Sequence, residues 1–340
     1  MHFASDNTAG AHPQVLKALI AANSAAVPAY GDDPYTQELQ DHLRTIFEHD
    51  ELLAFPIATG SAGNALALAT LTPPWGAVYC HSTAHINVDE CAAPEVANPG
   101  CKLQPIQGSH GKITSNEVKS ALQGRGFVHA VQPATVSITN LTEVGTAYSP
   151  SEIHTLGTFC KAEGLALHLD GARFANALVA GNATPAEISW RAGVDALTFG
   201  ATKNGCLSAE IVIFFDPLKG EEFAFRRKRA GHLFSKMRFL SAQALGYLKN
   251  DLWLETARHA NSMATRLARG LGAAGCAPYF PVDGNMIFAP IPMPTQDRLR
   301  AAGAVFYPGR LAGSDGTDVR LVTAWSTTEA QVDKFIGLLG

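Results

Sequence analysis

The chain is expected to fold as an α/β protein: a large domain, residues 1–242, on a mainly parallel sheet flanked by helices, then a small C-terminal α/β domain, residues 243–340. Three observations predict this. Residues 164–205 read as strand, helix, strand, with Leu165 to Leu169 and Asp195 to Phe199 as short apolar runs joined by one crossover length. The stretch LLAFPIATGSAGNALALATL is an apolar strand that breaks into Gly60-Ser61-Ala62-Gly63 and resumes as an alanine- and leucine-rich helix. Finally, 340 residues with 46% hydrophobic content suit one large core with a smaller unit attached.

Taken in order, Phe3 to Pro13 is polar and contains glycine, so it is expected to lie as an arm on the rest of the chain. Val15 to Asn23 reads as a short helix. Asp32, Asp33 and Pro34 open an amphipathic helix whose Leu39, Leu43, Ile46 and Phe47 recur at helical spacing. Tyr30 precedes it on a loop. In HSTAHINVDE, β-branched Ile86 and Val88 predict strand-like or irregular backbone. From Lys102 to Leu141 the pattern is strand, helix, strand, with Val128 to Val131 as a buried run. Ser149 as N-cap and Pro150 behind it start a helix that ends at Gly164. Beyond residue 205, Glu210 to Phe215 is an apolar strand and Arg226 to Arg229 reads as a solvated helix face. Leu240 to Leu271 continues helically into the small domain, where PVDGNMIFAPIP and DVRLVTAW supply strands.

Composition narrows the function classes. A net charge of −4 and a pI near 6.3 give no electrostatic reason for a nucleic-acid or anionic-membrane partner. No apolar run approaches the ~20 residues of a membrane span. The six cysteines form no CxxC pair, which speaks against zinc and for free thiols in a reducing compartment. MHFASDNTAG has neither the basic nor the apolar region of a signal peptide, so a cytoplasmic protein is expected.

The chemistry concentrates at strand ends. Asp170 closes one apolar run, Lys203 follows the next by a few residues, and Arg173 stands just beyond the acid. Open α/β sheets bind ligands outside the carboxyl ends of their parallel strands, so these three groups are expected to face one molecule. A lysine for a Schiff base and a carboxylate for a pyridinium nitrogen are what pyridoxal phosphate (PLP) requires. The Gly60-Ser61 turn adds backbone N–H groups at a helix N-terminus, which hold phosphate; it is neither a Walker loop nor GxGxxG. Plainer readings stand beside these: Asp170 as a helix N-cap, Lys203 as a solvated lysine, the glycine loop as an ordinary turn. His81 and His85 are four residues apart, but no third ligand or HExxH pattern accompanies them, and no metal is expected.

HLDGARFANA and FGATKNG resemble the low-specificity L-threonine aldolases, of the aromatic amino-acid β-eliminating lyase group in PLP fold type I. The likeness runs from SDNTAG near the start to RLVTAW near the end. It implies a PLP enzyme that cleaves L-threonine, L-allo-threonine or related β-hydroxy-α-amino acids, phenylserine among them, to glycine and an aldehyde. It also implies a homo-oligomer, a dimer of active sites assembled into a tetramer. By the same resemblance Lys203 carries the cofactor, Asp170 meets its ring nitrogen, and Gly60 and Ser61 match the phosphate-binding Gly-Thr pair. His85 matches the histidine stacked on the ring, a candidate acceptor for the β-hydroxyl proton. Ser5, Arg173 and Arg320 fall at the substrate carboxylate, with Arg173 also beside the cofactor. Tyr30 falls near the active site and subunit contacts, and Lys228 and Arg238 match residues that reach a phosphate across a dimer interface.

Two departures stand out. QPATVSITNLTEVGT lacks the THN histidine that many threonine aldolases carry near the β-hydroxyl, and Ala324 replaces the histidine of the family's RLVTH. On residues alone, Ser5 also reads as a turn serine, His85 as a core histidine and Arg320 as an edge-strand arginine. Three rival functions share parts of the pattern: another fold type I lyase acting by β-elimination, a barrel-type Schiff-base aldolase without cofactor, and a non-catalytic α/β ligand-binding protein.

Overall fold

Seven strands form the central sheet of the computed structural model, which describes residues 1–309, 311 and 315–340. They are β1 (Leu53–Ile57), β2 (Gly76–His81), β3 (Lys102–Ile106), β4 (Gln132–Thr139), β5 (Ala166–Gly171), β6 (Ala196–Gly200) and β7 (Glu210–Phe214). Their spatial order is β1-β7-β6-β5-β4-β2-β3. Strands β2 to β6 pair in parallel, while β7 is antiparallel to both β6 and β1. Every residue of β6 and β7 is buried, as expected of strands covered on both faces.

The helices in chain order are α1 (Pro13–Ala22), α2 (Pro34–Phe47), α3 (Gly60–Leu71), α4 (His85–Val88), α5 (Ala93–Ala97), α6 (Ser115–Ala121) and α7 (Pro150–Ala162). They continue as α8 (Phe174–Gly181), α9 (Pro217–Arg229), α10 (Arg238–Leu248), α11 (Leu252–Ala273), α12 (Met293–Ala301) and α13 (Glu329–Gly337). Their ends obey local chemistry. Asp33 caps α2 ahead of Pro34, Thr59 caps α3, and Ser149 with Glu152 closes a capping box on α7. The apolar stripe of α2 buries Leu39, Leu43 and Phe47. Phe47, Phe174, Phe199 and Trp253 interlock with ring centroids 5.5–5.8 Å apart, joining α2, α8, β6 and α11 in the main core.

A second core lies under a three-stranded antiparallel sheet of β8 (Met286–Pro290), β10 (Asp318–Val322) and β9 (Tyr307–Pro308). Phe3 of the N-terminal arm is fully buried in it, edge-on to Phe335 at 5.2 Å, and its N–H donates to the Val305 carbonyl. The arm therefore spans from the small sheet to the mouth of the large one.

Four sequence expectations are corrected. Val128 to Val131 is no buried strand: Val128 is 89% exposed, and the Gln132 amide ties up residues 124–130 as a surface loop through bonds to the Gly124, Phe127 and Ala130 carbonyls. His85 to Val88 is a short α-helix, because the segment folds back after β2 and buries only Ile86. The basic run on α9 is not all solvated: Arg227 is buried, donates to the Pro56 carbonyl and stacks on Phe55, with burial pushing its pKa down to about 10. Finally, Leu240 to Leu271 is two helices, broken where Asn250 and Asp251 adopt left-handed backbone at φ 56°.

Candidate active site

Strand direction gathers the site. The carboxyl ends of β2, β4, β5 and β6 all face one edge of the sheet, β1 runs the same way, and reversed β7 starts there. That edge carries a cavity of about 280 Å³ lined by His85 after β2, Glu143 after β4, Asp170 on β5, Lys203 after β6, Glu210 on β7 and Gly60-Ser61 after β1. Residues 164–205 thus form the expected crossover, with Asp170 and Lys203 at one mouth.

Asp170 is buried and fixed from two sides: Asn64 Nδ2 donates to Oδ2 at 2.9 Å and the Ala172 N–H to Oδ1 at 2.9 Å. The same Asn64 amide donates to Glu90 Oε1 at 3.0 Å, and that oxygen also meets His85 Nδ1 at 2.8 Å. A continuous chain therefore links His85, Glu90, Asn64 and Asp170. Its hydrogen bond to Glu90 raises the His85 pKa above the usual histidine range, against the opposing effect of burial. One layer below, His168 bonds Ser137 and Thr198 and burial lowers its pKa to about 4, so it stays neutral.

Lys203 sits in a 3-10 turn, Thr202–Asn204, that Asn204 anchors to Tyr247 and to the Trp253 carbonyl. Burial, reinforced by the Arg173 charge, lowers the lysine pKa, which favours the neutral amine. Glu210 accepts the Ala201 N–H at 3.0 Å, and burial pushes its carboxyl up to about 7.

The donor set fits PLP. At the start of α3, Thr59 Oγ1 satisfies the Ala62 N–H and the Thr59 carbonyl that of Gly63, which leaves the Gly60 and Ser61 N–H groups for an anion. A Cβ built on Gly60 would meet nothing within 4 Å, so the backbone there is open to close approach. Thr202 and Ser208 line the same cavity. A buried carboxylate and an amine of lowered pKa line the same cavity as this cradle, which is the chemistry the cofactor demands.

Arg173 also lines the cavity, and it is already engaged. Its Nε donates to Asp6 Oδ2 at 2.7 Å and its Nη2 to Asp6 Oδ1 at 2.9 Å, while Asn285 Nδ2 holds the same Asp6 at 3.0 Å. Nη1 lies outside this pair. Arg320 stands on β10 with Nε directed at Met286 Sδ, 3.3 Å away; burial and the charge of Arg173 lower its pKa. It is near Arg173 but not in the cavity wall. Ser5 caps the turn Asp6–Thr8 by accepting the Asn7 N–H, and Asn7 rather than Ser5 lines the cavity.

Three further candidates lie elsewhere on this chain. Tyr30 is 49% exposed, and Lys228 Nζ sits 4.5 Å from its ring centroid. Arg238 donates to the Ala25 carbonyl at 2.7 Å. None of the three lines the cavity.

Asn7, Asn64, Glu90, Glu143 and Glu210 are cavity residues that the sequence pattern did not single out. For Glu143 a signal existed, since it follows a buried strand as Lys203 does. Glu210 had none, because only the antiparallel pairing of β7 turns its first residue toward the mouth.

The family model described as β-eliminating lyase matches residues 2–292. The low specificity L-threonine aldolase of Pseudomonas aeruginosa is 42% identical over 326 residues, 96% of this chain and 93% of that protein. The enzyme of the same name from Pseudomonas sp. is 41% identical over 331 residues, 97% and 94% of the two chains. Among solved structures, Leishmania major threonine aldolase superposes with a TM-score of 0.94 at 30% identity, covering 99% of this chain and 98% of that one.

Proposed function

The chain belongs to the β-eliminating lyase family, and we infer from that membership and from its cavity that it is a PLP-dependent aldehyde-lyase cleaving L-threonine to glycine and acetaldehyde. The observation that carries this reading is one cavity lined by Lys203, Asp170, the Gly60-Ser61 cradle, His85 and Arg173. Lys203 would hold the cofactor's aldehyde carbon, Asp170 its ring nitrogen, and the Gly60 and Ser61 N–H groups its phosphate. When bound, PLP supplies an electron sink for the pair released as Cα–Cβ breaks.

The chain's own groups do the rest. Burial, reinforced by the Arg173 charge, lowers the Lys203 pKa and so favours the neutral, nucleophilic amine. Asn64 Nδ2 and the Ala172 N–H fix the Asp170 carboxylate in place, each donating to one of its oxygens. Glu90 fixes the His85 ring through Nδ1. Arg173, oriented by Asp6, offers Nη1 to the α-carboxylate. Arg320 is destabilised by burial and by its like-charged neighbour, so an anion between the two guanidiniums relieves both. Allo-threonine and phenylserine are included in the proposed substrate range.

A homo-oligomer, assembled to a tetramer, is part of the proposal. Its support is that Lys228 and Arg238, which match residues reaching a phosphate across a dimer interface, and Tyr30 do not line their own cavity. Six unpaired cysteines fit a reducing, cytoplasmic setting, and no helix among the described residues is long and apolar enough to cross a membrane.

The test is product identity. The purified protein supplied with PLP should release glycine and acetaldehyde from threonine, and Lys203→Ala should lose both turnover and the cofactor's visible absorbance band. Release of a keto acid instead of glycine would overturn the reading in favour of β-elimination.

A further inference from the structure

The loop after β4 brings a carboxylate to the site where the sequence lacks a second histidine. Glu143 lines the same cavity as Lys203, Asp170 and His85. Its Oε1 is held from two sides, accepting the His85 backbone N–H at 2.8 Å and the Thr139 hydroxyl at 2.9 Å. Its Oε2 is shielded from solvent and has no hydrogen-bond partner. A dry acceptor of this kind gains from any O–H that reaches it, because that bond replaces the lost hydration.

We propose that Glu143 is the group that takes the proton of the substrate's β-hydroxyl during cleavage. The inference rests on the threonine-aldolase reading above. In the step, the O–H bond breaks and its proton passes to Oε2. The oxygen's electron pair closes the C=O of the departing aldehyde, and the Cα–Cβ pair stays with the glycine half, held by the cofactor's electron sink. A proton from water then completes glycine at Cα, and Glu143 returns its own proton to water.

Basicity agrees with geometry. Burial pushes the Glu143 carboxyl up to about 7, with the negative charge of Asp170 adding to the effect, so it can both take and release a proton near neutrality. His85 is less suited to accept one, since its bond to Glu90 favours the imidazolium form. The groups facing Glu143 are Asp170 from β5, Arg173 from the turn beyond it, His85 from α4, Cys80 from β2 and Tyr148 from its own loop. Burial raises Cys80 to about 12 and raises Tyr148 as well, so both stay neutral.

Glu143→Gln separates these roles, because the amide keeps an oxygen for His85 and Thr139 and fills the same volume. The variant should bind PLP as wild type does and bind glycine, which has no β-hydroxyl, with unchanged affinity. Its kcat for threonine should fall about 10²- to 10⁴-fold. The infrared carboxylic-acid absorbance that titrates near neutrality, to which Glu210 also contributes, should be smaller in the variant by the share of one carboxyl group. Thr139→Ala provides a second check: it removes a donor that favours the ionised carboxylate, so the acid limb of the kcat profile should move to higher pH. An acid limb that stays put, an unimpaired Glu143→Gln, or a Glu143→Gln that loses glycine affinity along with kcat would each overturn the proposal. Wild-type protein that releases no glycine from threonine would overturn the parent reading and this one together.

Discussion

Arg173 and Asp6 meet in a two-pronged ion pair, Nε to Oδ2 at 2.7 Å and Nη2 to Oδ1 at 2.9 Å, with Asp6 2% exposed. Each partner answers for the other's burial. Desolvation opposes both charges, but the charge and hydrogen bonds of Arg173, with Lys203 and Asn285, together lower the Asp6 pKa, and those of Asp6, with Asp170 and Glu143, together raise that of Arg173. A residue of the N-terminal arm thereby sets the orientation of a guanidinium on the large sheet.

Removing the carboxylate charge at Asp6 should therefore loosen both the fold and the site. Asp6→Asn leaves Arg173 buried with a weaker partner, and losing one side of such a pair costs about 3–5 kcal/mol, an upper range here because the amide keeps an acceptor. Urea unfolding should show the loss, and kcat/KM for threonine should fall while PLP still binds. A variant with wild-type stability and kinetics would mean that the pair neither holds the arm nor aims the guanidinium.

Arg320 tests the other half of the carboxylate site. Losing one donor of a charge-assisted pair costs about 1.5–3 kcal/mol, so Arg320→Lys should lower kcat/KM for threonine roughly 10- to 100-fold. An ammonium has no planar fork, and rescue should be incomplete. Wild-type kinetics with PLP affinity intact would remove Arg320 from substrate binding.

Asp170→Asn should retain the cofactor's phosphate contacts but lose most turnover. The new amide turns a donor toward either Asn64 Nδ2 or the Ala172 N–H, and it carries no charge to hold a ring proton. Absorbance should report bound PLP in a nearly inactive protein. Unchanged turnover would reduce Asp170 to a structural cap.

His168 should make stability fall with acid. Its folded pKa is about 4 against an ordinary 6.5, so between those values the unfolded chain takes a proton that the folded chain refuses. The contribution is complete above pH 6.5 and lost as pH falls toward 4, amounting to about 3 kcal/mol. Glu143 and Glu210, raised to about 7, act in the opposite sense, losing stability as pH rises from 4.5 to 7. The measurement is therefore the difference in unfolding free energy between wild type and His168→Gln across that window. A difference independent of pH would show that His168 is not neutral in the fold.

The legible part of this protein was the part written in short-range pattern. Asp170 and Lys203 could be assigned to one mouth because an apolar run fixes a buried strand and one crossover returns the chain in parallel. The α3 cradle was visible because strand, glycine turn and helix are consecutive. Where pattern was thin it misled, as at Val128, whose apolar neighbours belong to a loop tied down by a glutamine amide.

What the sequence determined by itself was the strand-helix-strand unit, the acid and amine at its ends, and the glycine turn that opens α3, since each depends only on spacing and side-chain type. Tertiary structure alone decided the partners: Asn64 reaches Asp170 across 106 residues, and Asn285 reaches Asp6 across 279. It also decided which buried carboxylates find a partner, so that Glu143 and Glu210 rise to about 7 by burial while Asp6, buried as well, falls below its usual range beside Arg173. A side chain's charge is fixed by its type, but its basicity depends on burial and on the charges facing it, and those come from segments that meet only when the chain folds.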